Sequence, residues 1–328
     1  MTVAGGTGAG GDAARIEHDL RPATDADLPT CAAIWRESIN DYLGRLAQPE
    51  MPDELAPILR LYAHLHSTDP DRFVVAERAT GTASTIDGFA VATIRGDVWF
   101  LSMLFVRPEG QGRGLGRALL GRVSPPGDWA GVRATATDSV QPISNGLYAS
   151  VGIVPRLPLL RLVGLPDRDG ALPALPEGIR AVRFDEVDGG VDGLERAALH
   201  AELWSLDREV AGFDRAPDRP LLDREGRLGF LYHARDGSAV GYGFAGESGR
   251  VGPVAVREEG LLGPVLGHLL SAVRPRGAFA VWVSGSAGEA IVPLLRAGFR
   301  IDGFPCLLCW DRPFADFARY LPMSPGLL

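Results

Sequence analysis

Apolar residues recur at three- and four-residue spacing over Leu28, Cys31, Ile34, Trp35, Ile39 and Leu43. That period predicts a helix, and Thr24-Asp25-Ala26-Asp27 supplies a capping segment before it. A weak alternation from Arg15 to Arg21, ended by Pro22, predicts a first strand ahead of this helix. Leu55, Ile58, Leu59, Tyr62 and Leu65 mark a second helix from 53 to 66. The pattern then shifts to strands: 72–77 and 87–94, around a polar connection at 79–86. Gly96-Asp97 turns into an apolar run from Val98 to Val106 that only Ser102 interrupts. Pro108, which has no N–H for a ladder, ends it. Glycine alternates with other residues from Gly110 to Gly116, and Leu119, Leu120 and Val123 then give a helical stripe. After Pro125, Pro126 and Gly127 come a strand at 132–137 and a short helix from Gln141, closed by Gly152.

The segment 165–178 holds Pro166, Pro173 and Pro176 around polar residues, as a linker does. Beyond it the pattern repeats. A strand at 178–184 precedes a helix with Leu194, Ala198, Leu199, Leu203 and Trp204, and paired strands at 229–234 and 239–245 follow. Shifting the chain by 150 residues places Val256 on Val106, Arg257 on Arg107, Gly260 on Gly110 and Leu269-Leu270 on Leu119-Leu120. In that frame Gln111 becomes Leu261, Gly114 becomes Pro264 and Gly116 becomes Leu266. Proline removes a backbone donor and leucine adds a side chain, so the second copy is expected to lack whatever the glycines do. At an offset of 146, residues 291–299 match 145–153, with Leu294 on Tyr148.

A strand, a glycine loop and a helix start, in that order, make an anion site. The first N–H groups of a helix have no internal partner, and the helix dipole favours negative charge there. The P-loop needs a lysine, and the chain has none. The G-x-G-x-x-G fingerprint fails in each frame, ending on Leu115, Arg117 or Leu119. What fits is Gln111-x-x-Gly114-x-Gly116 behind an L-F-V-x-P strand end, and this resembles the acetyl-CoA diphosphate loop of the GCN5-related N-acetyltransferases, the GNAT family. The segment from Gln141 through Asn145, Leu147, Tyr148 and Gly152 to Ile153 resembles the closing motif of that family, with Gln141 where an Asn is common and Ile153 for Phe.

The resemblance implies an α+β chain of two tandem GNAT-like domains, each a mostly antiparallel mixed sheet flanked by helices. Residues 1–14 would be a disordered tail, 15–165 the acetyltransferase domain, 166–177 the linker, and 178–328 a degenerate copy serving structure, the acceptor pocket or dimerisation. Acetyl-CoA would be the cosubstrate, held by Leu104, Phe105 and Val106 along its pantetheine and by Gln111, Gly112, Arg113, Gly114, Leu115, Gly116 and Arg117 at its diphosphate. Gln141 and Asn145 would contact it as well. Tyr148 would protonate the departing thiolate. The family's usual central-strand glutamate is missing, so a water relayed by Ser102 or by backbone carbonyls is the expected base. Tyr42, His64 and His66 lie on helices that wall the acceptor pocket in this family, although for the two histidines a solvated or half-buried helix face is the plainer reading.

Composition narrows this picture further. A net charge of −8 speaks against a nucleic-acid footprint and is compatible with a cationic amine, either a small molecule or a peptide. Three cysteines suggest a reducing compartment, and Cys306-Leu-Leu-Cys309, inside an apolar run, is expected to pack rather than to bind metal. No signal peptide or membrane-spanning run is seen, and a cytoplasmic protein, alone or as a homodimer, is the expectation. The competing function class is a non-catalytic acyl-CoA sensor or assembly module.

Overall fold

The computed structural model describes residues 17–166, 172–185 and 193–328. The expected tail at 1–14 lies outside the described residues, as do residues 167–171 of the expected linker. The first half runs β1 (Asp19–Pro22), α1 (Leu28–Arg45), α2 (Ala56–Thr68), β2 (Phe73–Thr80), β3 (Ala83–Arg95), β4 (Val98–Val106), α3 (Leu115–Val123), β5 (Val132–Asp138), α4 (Pro142–Ala149) and β6 (Val154–Gly164). The second runs β7 (Arg180–Arg183), α5 (Gly193–Leu206), α6 (Arg219–Arg224), β8 (Arg227–His233), β9 (Ala239–Gly246), β10 (Arg250–Val256), α7 (Leu262–Ala272), β11 (Phe279–Ser284), α8 (Gly288–Arg296), β12 (Arg300–Ile301), β13 (Cys306–Trp310) and β14 (Tyr320–Leu321).

The periodic elements fall where the pattern places them, with two differences. β2 and β3 run on through the segment expected as a polar connection, down to the pair Thr80↔Ala83, because Gly81 (φ +69°) makes the turn tight. β6 is an element the pattern above does not place; although it carries Pro155 and Pro158, it pairs on both sides.

Among the described residues the strands form one sheet, in the order β1-β2-β3-β4-β5-β13-β6-β11-β10-β9-β8-β7. The halves exchange strands. β13 of the second half lies antiparallel to β5 of the first, with Cys306↔Asp138 through Trp310↔Ala134. β6 of the first half lies antiparallel to β11 of the second, with Phe279↔Gly164 through Ser284↔Leu159. β6 and β13 then pair with each other at the centre. On one face α1 and α2 share a core with α5 and α6, joining Leu65 and Phe89 to Leu203 and Tyr242. On the other face α3 covers one core and α7 with α8 another.

The repeat is visible in the helix ends. Ile153 N–H donates to Tyr148 O at 3.1 Å behind Gly152 (φ +84°), and Phe299 N–H donates to Leu294 O at 3.0 Å behind Gly298 (φ +94°). At the glycine loop, however, the two halves part. The second half does not hold a blocked loop; it holds no loop, because α7 begins at Leu262 straight after a 3-10 turn. Pro264 sits in the first helical turn, where its missing N–H costs nothing, and Leu266 is buried under the helix. The expected role of both residues as substitutions within a cradle is therefore corrected.

Candidate functional site

Two neighbouring strands come apart in the first half. β4 and β5 pair in parallel only from Val98↔Val132 to Leu101↔Thr135, where Thr135 Oγ1 donates to Leu101 O at 2.8 Å. Past this point β5 stays with β13, and β4 stays with β3 as far as Val106↔Gly88. The register against β3 steps from Ala92↔Leu101 to Val91↔Met103, so Ser102 is the extra residue of a bulge that bends β4 away. Two facing backbone edges, at 103–106 and at 136–138, are thereby left without a strand between them.

The glycine loop closes the wide end of this gap. Gly112 (φ +75°) and Gly114 (φ +89°) are left-handed, and Gly114 is the residue before α3. The first helical bond is Ala118 N–H to Gly114 O at 3.1 Å. Among the described residues, the N–H groups of residues 112 through 117 meet no acceptor. Six donors in succession at a helix N-terminus form an anion cradle. A Cβ placed on Gly112 or Gly114 would touch nothing within 4 Å, so the cradle is open. Arg113 and Arg117 are exposed at its rim. Leu115 is buried beneath it, and a Cβ on Gly116 would rest on Leu104 and Leu147 at 3.5 and 3.7 Å, which puts Gly116 on the apolar wall of the gap.

Other expected residues have found protein partners. Gln111 Nε2 donates to Val106 O at 2.9 Å and Ser38 Oγ donates to the same carbonyl at 3.1 Å, which pins the end of β4. Leu104 and Val106 face the α3 side, while Phe105 stacks on Phe89 on the α1 side, with ring centroids 5.8 Å apart. Gln141 caps α4 through Oε1, accepting from Ile143 N–H at 3.3 Å. Asn145 Nδ2 donates to the carbonyls of Asp138 (3.0 Å) and Gln141 (2.9 Å). Those bonds fix its amide orientation, and its buried Oδ1 has no partner. A ligand N–H is what such an atom lacks.

Ser102 is buried and its hydroxyl donates to Gly326 O, so its proton is held by the C-terminal segment. Tyr148 is buried beside Leu115, Leu119 and Cys309. Burial pushes its hydroxyl well above the ordinary tyrosine range, so it keeps its proton at neutral pH. β13 brings Cys306 and Cys309 into the floor of this region, with Cys309 pushed up to about 12 by burial.

Of the two histidines, His64 departs from expectation and His66 does not. His64 is 1% exposed and lies at the contact between the halves. Its Nδ1 accepts from Arg224 Nη2 at 3.0 Å, so Nε2 carries the proton and donates to Asp218 Oδ1 at 2.9 Å. Arg95 bridges Asp69 and Asp218 in the same cluster. His66, half-buried, ties its helix to Ala23 O at 3.0 Å. His66 thus lies on a half-buried helix face, as expected, whereas His64 is buried.

Missed in the sequence was Asp138, the last residue of β5, which sits across the gap on the α1 side. Its carboxylate accepts a hydrogen bond from the Tyr42 hydroxyl, which burial and then Asp138 itself push well above its usual range. The sequence signal was there: a carboxylate two residues beyond the apolar alternation of β5. Nothing local marks it as part of a site, because its partner Tyr42 lies 96 residues earlier in the chain.

Residues 33–152 match the model of the Acetyltransferase (GNAT) family. This segment is a GNAT domain. Among solved structures, a protein from Pyrococcus horikoshii described as an acetyltransferase superposes with a TM-score of 0.68 at 15% identity, covering 95% of this chain and 96% of its own. A GCN5-related N-acetyltransferase from Sphaerobacter thermophilus gives 0.57 at 20% identity, covering 92% and 98%. A tandem GNAT protein from the clavulanic acid biosynthesis pathway gives 0.53 at 14% identity, covering 90% and 99%. The whole chain therefore has the tandem GNAT fold, with its second half as well as its first on that plan. No curated protein matches the sequence.

The second half is closed where the first is open. β10 leaves β11 after Val251↔Val281, but the gap is filled by β14, with Val254↔Leu321 and Ala255↔Tyr320. Pro173 packs against the first turns of α7, at Gly263 and Gly267. The GNAT domain at 33–152 thus has both an open gap and a free helix N-terminus, and the second half has neither.

Proposed function

We propose that this chain is an N-acetyltransferase that moves an acetyl group from acetyl-CoA to an amine, with its site in the first half. The observation that carries the reading is the run of six unpartnered N–H groups, 112 through 117, opening onto the gap between β4 and β5. When bound, acetyl-CoA supplies an acetyl group activated as a thioester. The cradle, with Arg113 and Arg117 at its rim, neutralises the diphosphate. The free edge at Leu104, Phe105 and Val106 adds the pantetheine arm as a strand would be added, and Asn145 Oδ1 accepts from one of its amides. Gln111 and Gln141 act one step back, by fixing the end of β4 and the start of α4.

The acceptor, a small-molecule or peptide amine, approaches from the α1 side. A free alkylamine is mostly protonated at neutral pH, its pKa being about 10, so a base must take a proton before attack. Asp138, oriented by Tyr42, stands on that side of the gap and fills the role better than Ser102, whose hydroxyl is committed to Gly326. Tyr148 retains its proton and donates it to the leaving sulfur.

Calorimetry should give one acetyl-CoA per chain, and thiol release should follow when a panel of amines is added. Two equivalent sites would overturn the assignment to the first half. Binding without thiol release from any amine would support the sensor instead.

A further inference from the structure

A second polar cleft opens in the other half, on the face of the sheet covered by α5 and α6, and the acyl-transfer reading makes no use of it. It is lined by Trp204 and His200 of α5, Asp207, Arg215 and Arg219, with Tyr242 at its base. Asp207 begins a single π-helical turn, Asp207–Ala211, a rare backbone form that re-aims the carboxylate inward from the end of α5.

Three polar atoms here are buried and unsatisfied: Asp207 Oδ2, Arg215 Nη2 and Arg219 Nη1. Each of these side chains is anchored through another of its atoms. Tyr242 donates to Asp207 Oδ1, and Arg215 Nη1 donates to the Tyr320 hydroxyl. Arg219 Nε donates to Asp223 at 3.1 Å, with its guanidinium lying 4.7 Å from the Phe184 ring centre. Asp207 is 0% and Arg215 4% exposed. Burial raises the Asp207 carboxyl to about 7 despite the opposing charge of Arg215. Leaving three such atoms unpaired within one cleft is costly, because each forfeits its hydration.

We infer that this cleft binds a compact molecule carrying a carboxylate and a protonated amine on the same or adjacent carbon, an amino acid of the size of glycine or alanine. The carboxylate pairs with Arg215 Nη2 and Arg219 Nη1, and the ammonium donates to Asp207 Oδ2. Two donors and one acceptor match a zwitterion, whereas a plain carboxylate leaves Asp207 unpaired and a plain amine leaves both arginines so. Trp204 and His200, whose rings lie 5.6 Å apart on consecutive turns of α5, also line the cleft.

The test uses the full chain with glycine, L-alanine, acetate and methylammonium as separate probes, read by calorimetry and by melting temperature. Glycine or L-alanine should bind and raise the melting temperature, more than either half-probe does. Asp207→Asn and Arg219→Gln should each weaken this by at least ~10-fold while leaving acetyl-CoA affinity unchanged, the latter confirming that the variants are folded. Indifference to glycine and L-alanine up to tens of millimolar, as a cleft holding only water would show, overturns the inference. So does acetate binding as tightly as glycine, or equal affinity in both variants. None of these outcomes depends on whether the first half transfers acyl groups.

Discussion

Tyr148 packs in the core on the α3 face of the sheet and Asp138 meets Tyr42 on the α1 face, so the roles proposed for them can be tested separately. Tyr148→Phe keeps the ring that packs on Leu119 and Cys309 and removes only the hydroxyl. It should lower kcat and kcat/KM together by about 10²–10⁴-fold, with acetyl-CoA affinity nearly unchanged. Unaltered turnover would make Tyr148 a packing residue. Asp138→Asn still accepts from Tyr42 but takes up no proton, so its turnover should recover as pH rises toward the acceptor's own pKa, where free amine is abundant. A variant with the wild-type pH profile would remove Asp138 from the mechanism. At this scale the sequence was legible where chemistry depends on backbone, as in Gly112 and Gly114. It was poor where chemistry depends on side-chain neighbours: nothing local distinguishes Gln111 bonded to Val106 from Gln111 facing a phosphate.

Among elements, β13 bears the most. Leu308 is fully buried and pairs with Ala136 on one side and Leu157 on the other. Leu308→Ala should cost about 2–5 kcal/mol, and because β13 adjoins β5 it should also weaken acetyl-CoA binding in the other half. A stability loss with acetyl-CoA affinity intact would show that β5 holds its place without it. Helices and the β2–β4 meander could be read from sequence because their periods are local. The exchange could not. Cys306–Trp310 reads only as a short apolar run, and its partners β6 and β5 lie about 150 and about 170 residues earlier in the chain, a pairing that no local period encodes. Likewise, the offset of 150 residues located the second glycine segment correctly but could not show that α7 would start early and consume it.

For the molecule as a whole, two buried carboxylates set opposite pH trends. Asp218, although burial would raise it, is held down to about 2 by His64 and Arg95. Its contribution is present above the usual carboxylate range near 4 and is lost as pH falls toward 2. Asp207 is raised to about 7, so the folded state binds its proton more tightly than the unfolded chain does. Stability should therefore decline as pH climbs from about 4 through 7, by up to ~4 kcal/mol. Melting temperatures between pH 5 and 8 should fall in the native chain and fall less in Asp207→Asn; parallel slopes would refute this. The shared core and crossed strands also predict one unfolding transition in calorimetry, where independent halves would give two.

The crossing has a consequence for how the protein is made. β5 leaves the ribosome with one edge bare, since its partner β13 is encoded some 170 residues later. At the usual ~5–20 residues per second, that edge waits roughly 10 to 30 s for its neighbour. During this interval the nascent chain carries an open strand edge beside the unfinished gap between β4 and β5, the kind of surface that seeks any available strand. Synthesis rate, and whatever shields the emerging chain, thus become part of what determines the yield of active protein.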